Sequence, residues 1–526
     1  MSVQPVLING VWKASAGTRT FQAVNPATLT ALPEVYPVSP WSEIEEAVQA
    51  AARAAATVAT WPGERFARFL ERYAERIDAR AAELVALAHQ ETALPVEPRL
   101  SKAELPRTTS QLRQAAAAAR DGSWLRPTID TKANIRAVFG PIGPVVVFGP
   151  NNFPFAFNGI SGGDFAAAVA AGNPVIAKGH SCHPGTTRLF AVEAQLAAQE
   201  TDMPAGFIQL IYRTDHADGE KLVSHPQIGA IGYTGARETG LVLKTAADKA
   251  GKPIYLELSS INPVFMLPGA LAERGAALVD EFASSCLMGT GQFCTNPGLV
   301  VLVAGSETDA FVKAVQEKFS AAPVGTLLSE GVQKHLARGI ETIRAAGAKL
   351  LTGGEPGGGK GASYRNTLLT VSGDQFVADA ARLQTEAFGN CSLFVIARDA
   401  SQLSSIASAM EGNLTGTIYS ANDGRDDDLY RTVEPLLRRR VGRLLNDRMP
   451  TGVAVSPAMN HGGPFPATGH PGFTAVGIPA SVQRFAALYC YDNVRAHRLP
   501  ASLQDQNPTG KLWRLIDGTW SQAHIG

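Results

Sequence analysis

The sequence predicts an α/β protein made of two Rossmann-like α/β domains and a separate β arm. From Pro144 onward, strand-length apolar runs alternate with helical patterns. Strands buried on both faces of a parallel sheet read this way. A second α/β stretch runs from about Asn262 to Met449. Two further segments, 125–140 and 478–498, read as extended runs.

Residues 1–40 read as short strands and turns, with Asn9-Gly10 as a hairpin signal. From Ser42 to about Ala118 the pattern is helical and Ala-rich, with Arg and Glu recurring on one face. Pro127 and alternating polar and apolar residues then open the first ribbon. Pro144–Phe148, Pro174–Lys178, Phe207–Ile211 and Ile228–Tyr233 read as strands, each followed by a helix. In the second stretch the strands include Leu299–Val303, Leu393–Ala397 and Gly416–Ser420. The Gly-rich tract Thr352–Gly361 reads as a surface loop. Asp426-Asp427-Asp428 and Arg438-Arg439-Arg440 read as a helix start and a solvated helix face. The tail after Arg498 is polar and turn-rich.

The 526 residues suffice for two or three domains at about 100–200 residues each. Lys plus Arg and Asp plus Glu are equal at 47 each, so nothing points to nucleic acid or an anionic membrane as partner. No apolar run reaches the length of about 18 residues that a spanning helix needs, and Met1-Ser2-Val3-Gln4-Pro5 lacks a signal-peptide layout. Five cysteines are few and odd in number, which argues against a disulfide framework. A cytoplasmic protein is expected.

Two residues suggest chemistry. Glu257 ends the apolar run Pro253-Ile254-Tyr255-Leu256, and Cys294 closes Gly291-Gln292-Phe293-Cys294. A thiol nucleophile and a carboxylate able to activate water suit a reaction through a thioester that is later hydrolysed. Alone, such a Cys reads as packing and such a Glu as solvated. Cys286 sits in a helical apolar pattern and reads as core, and Cys182, Cys391 and Cys490 read as structural. Gly232-Tyr233-Thr234-Gly235-Ala236-Arg237-Glu238-Thr239-Gly240 follows a strand and opens a helix, where a pyrophosphate meets helix N–H groups. His180-Ser181-Cys182-His183 offers metal-ligand types but no fourth ligand, so no metal is expected.

Seven motifs in order resemble the aldehyde dehydrogenase superfamily over nearly the whole chain. They are Asn152-Phe153-Pro154, Lys178, Gly232–Gly235, Glu257-Leu258, Gly291–Cys294, Glu386-Ala387-Phe388-Gly389 and Gly442–Asn446. Within it, Lys178–Thr186, Ile261–Phe265 and His461–Thr468 are most similar to the branch of NADP-accepting α-ketoglutaric semialdehyde dehydrogenases and related long-chain aldehyde enzymes.

The resemblance implies a dinucleotide-binding domain from 1–124 and 141–258, a catalytic domain from 259–460, and oligomerisation strands at 125–140 and 478–498, giving at least a dimer (a homodimer or homotetramer). It implies Cys294 as nucleophile, Asn152 with the Cys294 backbone N–H as oxyanion donors, and Glu257 as the base for the hydrolytic water. Lys178 matches the family's adenosine-ribose lysine, and Gly235 and Gly240 fall in the pyrophosphate turn. Ser181 stands where NAD-preferring members often carry an acid, and His180 or Arg237 could add positive charge, so NADP is expected with NAD possible. Glu386 and Phe388 match residues that hold the nicotinamide ribose and ring. Ser259-Ser260 replaces two glycines, and Asn390 replaces a proline.

The implied substrate is a five-carbon semialdehyde bearing a carboxylate. Phe155 and Phe157 would equally suit a fatty or aromatic aldehyde. Arg107 reads as a surface helix arginine and, second, as a tunnel-lining cation. Two other classes stay open: a cofactor-independent Cys hydrolase, for which the sequence places no His partner, and a non-catalytic binding protein on the same fold.

Overall fold

The computed structural model describes residues 2–526. Three larger sheets organise the chain. The first runs in the order Ile254–Glu257, Ala230–Thr234, Val145–Phe148, Val175–Lys178, Ile208–Ile211, Val6–Ile8 and Val11–Lys13. Its first five strands are parallel, and the N-terminal hairpin adds antiparallel at the edge. Asn9 and Gly10 both take positive φ, 53° and 72°, as a two-residue hairpin turn requires. Strand order reverses at Val145–Phe148, so a switch-point crevice opens at the carboxyl ends between it and its neighbours.

The second sheet orders Lys349–Thr352, Thr367–Ser372, Cys391–Ala397, Leu299–Val303, Val264–Met266, Asn413–Tyr419 and Val441–Asn446. Only Lys349–Thr352 is antiparallel. The central strands of both sheets are near-continuous apolar runs and are buried, as strands covered by helices on both faces are.

The helical stretch divides into Trp41–Val58, Gly63–Ala79, Ala81–Thr92 and Leu105–Asp121. In Gly63–Ala79, Phe66, Phe69, Leu70, Tyr73 and Ile77 repeat at helical spacing, and all are buried. A wide-turn segment, Val96–Glu104, links the last two helices.

The third sheet orders Ala486–Asp492, Ile135–Pro141, Thr128–Asp130, Arg514–Ile516 and Thr519–Ser521. Two expectations change here. Of 478–498, only Ala486–Asp492 is strand; Ala480–Gln483 is helical, and Val482 and Phe485 are buried in the main core. The turn-rich tail contributes two strands, one of them parallel to Thr128–Asp130. Arg514, fully buried, holds the tail by donating to the carbonyls of Gln504 and Ala523, each at 2.6 Å.

Candidate active site

The candidate residues gather where the carboxyl ends of the first sheet meet the amino ends of the second. Glu257 is the last residue of its strand and is buried. Cys294 lies in the turn between the short helix Met288–Gly291 and the strand Leu299–Val303. Gly291 there has φ 67°, and a Cβ on it would sit 2.1 Å from the Gly389 carbonyl oxygen, so only glycine fits. Asn262, itself at φ 50°, donates to the Cys294 and Asn296 carbonyls at 2.9 Å each and fixes the turn. Asn152 is buried and donates from Nδ2 to the Gln292 carbonyl at 3.1 Å, two residues before the thiol.

The loop carrying Asn152 is held from behind. Glu104 Oε1 accepts from the N–H groups of Phe155 and Ala156 at 2.8 and 3.0 Å. Arg99 pairs with the same carboxylate and donates to the Asn152 carbonyl at 2.9 Å. Sequence reading found neither residue, because their partners lie some fifty positions away.

A third group joins the thiol and the carboxylate. His461 Nε2 lies 3.5 Å from Cys294 Sγ and 3.1 Å from Glu257 Oε1. Ligand atoms of all three fall within 4.8 Å of one another. The sequence places no His as partner of Cys294; the structure brings His461 there. His461 was visible only as the first residue of a Gly- and Pro-rich motif. Its loop threads tightly: a Cβ on Gly462 would meet the Phe473 carbonyl oxygen at 2.0 Å. Glu257 Oε2 is buried and has no partner.

Burial pushes the Cys294 thiol well above its ordinary range; the Glu257 carboxylate adds to the rise and Arg107 opposes it. An unassisted thiolate is thus disfavoured in the resting site. Cys286 lies in an apolar cluster, as expected, and burial pushes its thiol up to about 12. Cys490 is exposed on the third sheet.

Lys178 ends its strand in register with Ile211, and Arg213 follows two residues later. Burial and the Arg213 charge lower Lys178 to about 8. Among the described residues neither cation has a carboxylate within 4.0 Å. Ser181 sits half-buried in the turn that follows.

Of the two residues expected to add positive charge, His180 is corrected. Burial holds His180 well below its ordinary range, helped by His183 and Lys178, and its ring stacks on His183 at 5.4 Å. His180 is therefore neutral. Arg237 faces Glu411 at 3.5 Å and also acts on Glu386. Arg213 is the cation beside Lys178, and sequence reading missed it. His183 Nε2 is bonded to the Pro150 carbonyl at 2.9 Å.

Gly235 N–H donates to the Glu257 carbonyl at 3.1 Å. The helix Arg237–Lys249 opens with no side-chain cap, leaving first-turn N–H groups for an anion. On Gly240 a Cβ would lie 2.5 Å from Leu258 Cδ2. Glu386 and Phe388 line a cleft with Ser260 and Phe293. Burial raises Glu386 to about 7, against the Ser260 N–H and Ser259, which lower it. The two departures are accounted for locally. Ser260 Oγ accepts the Leu414 N–H at 3.0 Å, and Asn390 Nδ2 donates to Tyr364 O and Asn366 Oδ1 at 2.7 Å each. Two cations without a close carboxylate, an uncapped helix N-terminus and a carboxylate in the cleft fit a nicotinamide dinucleotide.

Arg107 is not a surface arginine. Its guanidinium lies 5.1 and 5.9 Å from the ring centroids of Phe157 and Phe153.

A doubly wound sheet whose edge strand Ile254–Glu257 ends in a buried carboxylate, beside a thiol carried by the second sheet's entry turn, suits a nicotinamide-linked oxidoreductase. The aldehyde dehydrogenase family profile matches residues 12–437, and the chain belongs to that family. It is an oxidoreductase that converts an aldehyde to the acid. It is 39% identical to α-ketoglutaric semialdehyde dehydrogenase 2 of Azospirillum brasilense, over 96% of each chain. It is 34% identical to α-ketoglutaric semialdehyde dehydrogenase of Acinetobacter baylyi, over 98% of each. Among solved structures, a putative aldehyde dehydrogenase from Burkholderia cenocepacia matches with a TM-score of 0.79 at 22% identity, covering 94% of this chain and 99% of that one. PnpE in complex with nicotinamide adenine dinucleotide matches with a TM-score of 0.79 at 20% identity, covering 94% and 98%. Among the described residues no helix is long and apolar enough to cross a membrane.

Proposed function

We propose that this protein oxidises α-ketoglutaric semialdehyde to 2-oxoglutarate, using NADP at least as well as NAD. The observation that carries the reading is the convergence of Cys294, Glu257 and His461 beside Asn152. Kinship over almost the full length with two enzymes named for that semialdehyde supports the substrate.

In this reading Cys294 Sγ attacks the aldehyde carbon as its proton passes to His461 Nε2, whose charge Glu257 balances. Asn152 Nδ2 and the Cys294 backbone N–H receive the developing oxyanion. The dinucleotide, when bound, supplies the acceptor for the hydride. Lys178 and Arg213 would hold its 2′-phosphate, the N-terminus of Arg237–Lys249 its pyrophosphate, and Glu386 and Phe388 its nicotinamide end. Glu257 then takes a proton from the water that opens the thioester; its free Oε2 suits that role. The third sheet leaves the edge strand Ala486–Asp492 with Leu488 and Tyr489 exposed, which supports pairing between subunits.

The His461 contact also favours a second reading, a thiol hydrolase acting on esters without dinucleotide. That reading leaves Lys178, Arg213 and Glu386 without a task. Initial rates with 2,5-dioxopentanoate, succinic semialdehyde and hexanal, each with NADP and NAD, test the proposal. A kcat/KM for hexanal above that for both carboxylated substrates overturns the substrate, and a large preference for NAD overturns the cofactor.

A further inference from the structure

Two arginines from different elements stand near Cys294 without counter-ions. Arg107 projects from the helix Leu105–Asp121 into the aromatic cluster of Phe153, Phe157 and Phe293 that packs against Cys294. Phe157 in turn contacts the His461 ring, at 5.8 Å between centroids. Arg107 Nε donates to Gln111 Oε1 at 3.1 Å, while Nη2 is buried with no partner.

Arg443 comes from the strand Val441–Asn446. Its Nη2 donates to the carbonyls of Pro450 and Gly452 at 2.8 and 3.1 Å, and its Nε is buried with no partner. The Gly452 N–H is bonded to Thr295 Oγ at 3.1 Å, so Arg443 is tied to the residue that follows the thiol.

Neither guanidinium has a carboxylate within 4.0 Å among the described residues, whereas nearby Arg99 and Arg484 are paired with Glu104 and Asp164. Burial lowers both arginines from their ordinary range; Cys294 favours the charge on each, Glu104 and Glu257 also favour it on Arg107 from beyond 4.0 Å, and Arg107 disfavours it on Arg443. Two half-buried, mutually repelling cations beside a nucleophile are destabilising unless an anion joins them. Fixed donor forks suit a carboxylate. An alkyl tail would leave both charges uncompensated.

We infer that Arg107 and Arg443 together receive the distal carboxylate of a short carboxylated aldehyde whose carbonyl carbon lies at Cys294 Sγ. The inference rests on the thiol chemistry proposed above and names what sets its substrate class. Arg107 enters from the aromatic wall and Arg443 from the opposite domain, so the anchor is complete only when both sides are in place.

The test compares alkylation of Cys294 by iodoacetate and by iodoacetamide, which differ in charge at nearly equal size. Steady-state kcat/KM is measured alongside for succinic semialdehyde and hexanal. In Arg107→Met and in Arg443→Met, the iodoacetate-to-iodoacetamide rate ratio falls at least fivefold. The succinic semialdehyde-to-hexanal ratio of kcat/KM falls at least tenfold, mainly through KM. Arg107→Lys and Arg443→Lys restore part of both ratios, and dinucleotide binding reports that each variant is folded. Folded variants that leave both ratios at wild-type values overturn the anchor. A wild-type enzyme that oxidises no aldehyde overturns the proposed function instead, and the alkylation ratio still reads the anchor on its own.

Discussion

His461 Nε2 stands 3.1 Å from Glu257 Oε1, although 204 residues separate the two in the chain. The same nitrogen faces the Cys294 thiol, so one imidazole touches both the candidate nucleophile and the candidate base. Burial and Glu257 disfavour the thiolate, and a neighbouring proton acceptor answers that difficulty.

Replacing His461 with Asn keeps a polar group of similar reach but removes the base. Iodoacetamide should alkylate Cys294 about 10²-fold more slowly at pH 7, with kcat lowered to a similar degree. Raising the pH should recover part of the alkylation rate as the thiol ionises unaided. An alkylation rate at pH 7 equal to wild type would remove His461 from proton transfer.

Glu257→Gln should separate two steps. Reduced dinucleotide appears in a burst of about one per site, followed by turnover slowed about 10²-fold or more. The Glu257 charge raises the Cys294 pKa, so its loss lowers that pKa. The alkaline limb of the alkylation profile should therefore move to lower pH in the variant. A limb displaced to higher pH would contradict the electrostatic account.

Glu104→Gln leaves Arg99 buried without its counter-ion and weakens the two bonds to Phe155 and Ala156. Breaking one partner of a buried pair costs about 3–5 kcal/mol. Chemical denaturation should show that loss. The displaced Asn152 should lower kcat on every aldehyde, because the oxyanion donor serves all of them.

NADP affinity should depend on pH through Lys178, which is lowered to about 8 by burial and by Arg213. In the free enzyme Lys178 is charged below that value and neutral above it, so Kd rises as pH passes from 7 to 9. Arg213→Met removes a cation that lowers Lys178. The inflection should move upward, and the NADP-to-NAD preference should drop about tenfold, equivalent to about 1.4 kcal/mol. Titration by fluorescence quenching reads both effects.

Leu488→Asp and Tyr489→Asp place charge on the exposed edge strand. Sedimentation should show dissociation to a smaller species with the fold retained. An unchanged mass would move the subunit contact elsewhere.

Part of this was legible from the chain because the first sheet's strands are consecutive apolar runs, and Lys178, Gly235 and Glu257 stand at the ends of such runs. Lys178, Gly235 and Glu257 could be placed by counting from a strand end. His461 could not, since it lies on irregular backbone 167 residues from Cys294. The heading of Arg107 was also hidden, because its helix is rich in alanine and threonine and no apolar stripe marks the inward face. The parallel pairing of Arg514–Ile516 with Thr128–Asp130 joins distant segments, and the local pattern of the tail gives no sign of it.

The imidazole rests on a looped segment, whereas the carboxylate ends a strand and the thiol sits in a turn pinned by Asn262. Mild urea should loosen that segment first. Catalysis would then fade at concentrations where circular dichroism and dinucleotide affinity are still intact, giving the enzyme an off-state well short of denaturation.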